Sequence, residues 1–93
     1  MSEYKNCLND ILTNTKKYNL YFAGLLLCNL AVKLSISEYQ FKRDLNYIKN
    51  KVKSESNAYN TSILDIEDAI EAYNNKTVLV YDNTILKRLM EDF

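Results

Sequence analysis

Apolar residues in the first third of the chain recur at helical spacing. Tyr4, Cys7, Leu8, Ile11 and Leu12 stand at i, i+3, i+4, i+7 and i+8, which marks an amphipathic helix starting near Ser2. The polar run Thr13 to Lys17 ends it. Leu20 to Leu34 predicts a second helix, and its Leu20 to Cys28 stretch is apolar enough to be buried on most sides by other elements. A third helix is predicted from Ser37 to about Lys53. There Phe41, Leu45, Ile48 and Val52 fall at i, i+4, i+7 and i+11, while Lys42, Asn46, Lys49 and Lys53 form a parallel stripe roughly 100° around the helix. One stripe should face a core and the other solvent.

Beyond residue 53 the pattern weakens. Ser54 to Thr61 is the most polar, low-propensity run in the chain, and reads as a loop or a poorly formed wing; it lacks the glycines and alternation of a regular strand pair. Ser62 and Asp65 are spaced as a capping box for a fourth helix with a face of Ile63, Ile66, Ile70 and Tyr73, ending at Asn74 and Asn75. Thr77 to Tyr81 is β-branched and strand-like. Val78, Tyr81, Ile85 and Leu89 nevertheless fit one helical face that continues through Met90 to Phe93, so the segment is read as helix. The predicted fold is therefore all-α. It is a small domain of four to five helices, with a short strand or rudimentary wing after residue 54 as the alternative.

Composition agrees with this reading and narrows it. A chain of 93 residues that is 47% hydrophobic can bury one small core, so residues 1–93 are read as a single domain. Absent proline and a single glycine favour helix. Abundant Asn, Lys, Tyr and Ile suggest an AT-rich genome such as that of a phage, plasmid or virus. Cys7 and Cys28 are far apart in a chain without histidine, so neither a zinc site nor a redox pair is expected. Both lie on apolar stripes as small hydrophobes, which points to an intracellular setting. Glu3, Lys5, Asn6 and Asp10 interrupt any secretory signal, and the Leu20 to Cys28 run is far shorter than the roughly 20 residues that span a bilayer. No membrane partner is expected.

The junction between the second and third helices carries the most specific signal. Leu30, Leu34, Ile36, Phe41, Leu45 and Ile48 fall where two short helices crossing at a steep angle need a shared apolar seam, and Ala31 stands where they approach most closely. Ser35, Ile36 and Ser37 form the turn. Ser35 with Glu38, and Ser37 with Gln40, make two overlapping capping boxes that compete to start the third helix. Residues 20–53 thus read as a helix-turn-helix unit. Leu30-Ala31, Leu34, Ile36-Ser37 and Arg43-Asp44-Leu45 stand in the register of the DNA-reading unit of winged-helix regulators of the DeoR and Mga type, which residues 30–49 resemble. Ser35 occupies the place of that pattern's turn glycine. The resemblance implies double-stranded DNA as partner, with the third helix in the major groove.

Charge points the same way. Lysine and arginine match aspartate and glutamate at 12 each, but residues 1–54 hold nine basic and four acidic groups, and residues 55–93 three and eight. A basic face laid on phosphate with an acidic remainder turned away fits this division, as does an acidic half docked on the basic half of the same chain. For DNA, Ser37, Glu38, Tyr39 and Gln40 occupy the helix start nearest the base edges. Gln40 is suited to adenine, Glu38 to cytosine and Arg43 to guanine, while Lys42, Lys49 and Lys53 are placed for the backbone; Asn46, on the lysine stripe, is also read as a DNA contact. Asp44 is not expected to touch DNA.

Other chemistry finds less support. With no histidine, phosphate-binding glycine loop or nucleophile motif, no enzymatic activity and no cofactor are expected. Asp65, Glu67, Asp68 and Glu71 are better explained as a solvated helix face than as metal ligands. Tyr4, Tyr18, Tyr21, Tyr47 and Tyr73 are read as core or dimer contacts, with Tyr39 set apart beside the basic stripe. Paired half-sites predict a homodimer, with Ile85, Leu86, Leu89, Met90 and Phe93 as its shared surface. The second reading is a helical interaction protein (an inhibitor, immunity protein or antitoxin) in which the acidic segment 62–93, and helix 62–75 above all, meets a protein partner.

Overall fold

A computed structural model describes residues 2–54, 63–76 and 82–91. Among these the chain forms α1 (Glu3–Thr13), α2 (Leu20–Lys33), α3 (Glu38–Ser54), α4 (Ile66–Asn75) and α5 (Asn83–Glu91), with no strand. The protein is all-α. Ser54, expected to open the loop or wing, instead ends α3; the remainder 55–61, the segment Thr77 to Tyr81 and Phe93 lie outside the described residues.

Each helix start is set by a side chain that accepts an orphan backbone N–H. Ser2 accepts from the Lys5 N–H at 3.1 Å, and Asn19 from those of Tyr21 and Phe22 at 3.0 and 3.2 Å. Asp82 does the same for Thr84 at 2.6 Å. The fourth helix departs from expectation: it begins at Ile66, with Asp65 as its cap through the Glu67 N–H, so Ile63 precedes the helix instead of lying on its face. Asp caps as well as Ser does, so the residue read as the partner in the capping box serves as the cap itself, while Ser62 lies outside the described residues.

The apolar α2 sits at the centre and touches each of the other four helices. Leu20, Ala23, Gly24, Leu26, Leu27, Cys28, Asn29, Leu30 and Ala31 are all buried, as expected of a helix that is hydrophobic on most sides. Helix α5 runs antiparallel to it. The Asn29 side-chain amide donates to Asn83 Oδ1 at 3.0 Å near one end, and the Asn19 N–H donates to the Met90 carbonyl at 2.7 Å near the other. Helix α4 runs alongside α2 in the same direction, with Leu64 against Gly24 and the Cys28 thiol facing the Ala69 carbonyl.

This packing corrects the expected dimer surface. Leu86 and Met90 cannot form a dimer surface, because they are 0% and 2% exposed and pack into the core shared with α2. Ile85, 46% exposed, and the half-buried Leu89 remain on the outside of α5. Of the five tyrosines assigned to core or dimer contacts, Tyr4 and Tyr18 are buried and Tyr73 is half-buried, whereas Tyr21 and Tyr47 are exposed. No described helix is long and apolar enough to cross a membrane.

Candidate nucleic-acid interface

The turn between α2 and α3 closes in a defined way. The Ile36 N–H donates to the Ala31 carbonyl at 2.9 Å and the Ser35 N–H to that of Val32 at 3.4 Å, which is the paired bonding of a Schellman ending. Ser35 takes the left-handed conformation at φ 56°, the place usually given to glycine. Of the two competing caps Ser37 is used: the Gln40 N–H donates to Ser37 Oγ at 3.1 Å and α3 follows, while the Gln40 side chain turns to Asp44. Helix α4 supports this turn from outside. The Tyr73 hydroxyl donates to the Ile36 carbonyl, and its ring stacks on Phe41 with centroids 5.7 Å apart.

The inner side of α3 is formed by Phe41, Asp44, Leu45 and Ile48, all buried. Asp44 is the unexpected member. Its carboxylate accepts from the Tyr4 hydroxyl at 2.7 Å and from the Gln40 side-chain amide at 3.0 and 2.9 Å, so a charge inside the core is satisfied by neutral donors. Burial first, and then this carboxylate, push the Tyr4 hydroxyl well above the ordinary tyrosine range, which keeps it protonated and donating. Gln40 is thereby removed from the base-reading set. It is half-buried, and its amide nitrogen is committed to Asp44.

The outer side of α3 carries the remaining predicted residues. Ser37, Glu38, Tyr39, Lys42, Arg43, Asn46 and Lys53 are exposed and Lys49 is half-buried. None of Lys42, Arg43, Lys49 and Lys53 has an ion pair among the described residues, where the salt bridge found joins Lys33 to Glu3 at 3.6 Å, between α2 and α1. The acidic residues of α4 therefore do not neutralise this face among the described residues. Asp65, Glu67, Asp68 and Glu71 point to solvent, and no described group of three or more His, Cys, Asp or Glu is placed to hold a metal ion.

Two residues on the outer side were not assigned to DNA from the sequence. Asn50 is exposed one turn beyond Asn46, and Tyr47 is 62% exposed one turn beyond Arg43. The i, i+4 spacing to residues already assigned was the available signal. A cleft of about 620 Å³ between α1, α2 and α5, lined by Cys7, Leu26, Leu30 and Met90 among others, lies apart from this face and includes no residue of α3. The chain matches no protein-family model, no curated protein and no solved structure.

Proposed function

We propose that the protein is a sequence-reading DNA-binding protein, a small regulator that lays the outer side of α3 in the major groove. The observation that carries this reading is the character of that side. Lys42, Arg43, Lys49 and Lys53 stand along it without ion pairs among the described residues, while Asp44 is turned into the core. Cations gathered on one helix face are the electrostatic footprint of phosphate binding. A helix of 17 residues, about 25 Å long, suits a groove about 12 Å wide that admits a single helix. The braced turn at Ser35 fixes how α3 projects from α2.

Fluorescence anisotropy with duplex fragments at low and moderate salt tests the reading. Wild-type protein binds at low salt and loses affinity steeply as salt rises, and Lys42→Ala/Arg43→Ala removes most of that binding. Absence of binding at low salt sinks it. The proposal includes a homodimer, because one such unit reads only a few base pairs, with Ile85 and Leu89 as its apolar contacts. Sedimentation showing a monomer at micromolar concentration contradicts the dimer while leaving DNA binding in place.

A further inference from the structure

We infer that Asn46 and Asn50 form the base-reading pair of α3, and that the preferred DNA site carries adenine at the two positions their side chains reach. This rests on the DNA-binding reading and extends it to the base class recognised.

At roughly 100° per residue the outer side of α3 divides into strips. Lys49, Lys42 and Lys53, with Glu38 just beyond them at the helix start, form one edge and Tyr47 the other, about 120–160° from the lysines, with Asn46, Tyr39, Asn50 and Arg43 between them. A helix lying in the major groove has a phosphate wall on each side and base edges beneath its middle. Lysines suit one wall as point charges, and the exposed Tyr47 hydroxyl suits the other as a phosphate donor. The middle strip is left to the bases.

The three carboxamides of α3 are not equivalent. Gln40 is held by Asp44, whereas Asn46 and Asn50 are exposed on the middle strip. A carboxamide offers a donor and an acceptor in one plane, matching the N7 acceptor and N6 donor of adenine. The two asparagines are one turn apart, about 6 Å along the axis, or close to two base steps of 3.4 Å. Two adenines at about that separation are therefore the expected signature.

The experiment is selection from a duplex pool with a random core by wild-type protein, N46A and N50A, followed by affinity measurements on the enriched duplex and its single A·T→G·C variants. Wild type enriches a paired-adenine motif and loses affinity on the order of tenfold for each swap. Each variant becomes indifferent to the swap at its own position and still discriminates at the other. Variants that weaken binding by one factor on every duplex, or a motif without the paired adenines, overturn the inference and leave DNA binding standing. Failure of wild type to bind any duplex at low salt overturns both. Both substitutions lie on the solvent side, and far-UV circular dichroism checks helicity; if one variant loses it, the other decides.

Discussion

The Tyr4 hydroxyl donates to the Asp44 carboxylate at 2.7 Å, joining α1 to the inner side of α3 across 40 residues of chain. The bond acts together with the buried Phe41, Leu45 and Ile48 to hold the inner side of α3 against the core. With Asp44 fixed inward, Lys42, Arg43 and Asn46 are carried to the opposite side. Tyr4→Phe leaves a buried charge with one partner fewer and costs about 1–3 kcal/mol. Urea unfolding of Tyr4→Phe, Asp44→Ala and the double variant measures the coupling, which is expected well above the roughly 0.5 kcal/mol scatter of independent sites. Additive effects contradict the clamp.

Ser35→Gly stabilises the protein. Ser35 holds a left-handed conformation at φ 56°, where its Cβ is penalised and glycine is not. The penalty exceeds the entropy that glycine adds to the unfolded chain, so a gain of about 0.5–1 kcal/mol is expected. A higher melting temperature checks it; an unchanged or lower one places the strain elsewhere.

Gly24→Ala destabilises, even though alanine is the better helix former by about 1 kcal/mol. A Cβ at Gly24 meets Leu64 Cβ at 3.0 Å, an atom close to the backbone that cannot swing away as a side-chain tip can. Overpacking of this kind costs about 1–3 kcal/mol, which outweighs the propensity gain. Thermal melting of the variant is the test, and a raised midpoint contradicts the tight approach of α2 to the segment leading into α4.

Alkaline pH weakens the fold in a definite window. Burial pushes the Cys7 and Cys28 thiols up to about 12, and a hydrogen bond to Asp10, with burial, does the same for the Tyr18 hydroxyl. These groups ionise at lower pH in the unfolded chain than in the native one. Their contribution is therefore fully present below about pH 9 and is lost as pH rises toward 12. Urea midpoints fall between pH 9 and 11, and at pH 8 native thiols react far more slowly with a thiol reagent than unfolded ones. Equal rates in the two states contradict the burial.

Helix positions were legible where one face is apolar and a cap stands before it. Ser2 and Ser37 start α1 and α3 as the spacing predicts, and the Phe41, Leu45, Ile48 stripe is buried. The errors share one cause: periodicity shows that a face is apolar but not which element covers it. Leu86 and Met90 are indistinguishable by spacing from a dimer surface, and only the antiparallel packing of α5 on α2 makes them core. Gln40 likewise resembles a base reader until Asp44, four residues on, is seen turned inward toward Tyr4, a partner too distant in sequence for any local pattern to supply.

Titration of ¹⁵N-labelled protein with a duplex at low salt, followed through amide and side-chain NMR signals, tests whether the outer side of α3 meets DNA. Shifts centred on Lys42, Arg43, Asn46, Tyr47 and Asn50 that reverse on adding salt are expected, with Glu67, Asp68 and Glu71 of α4 unmoved. Shifts confined to α4 or α5, or none at low salt, contradict that contact.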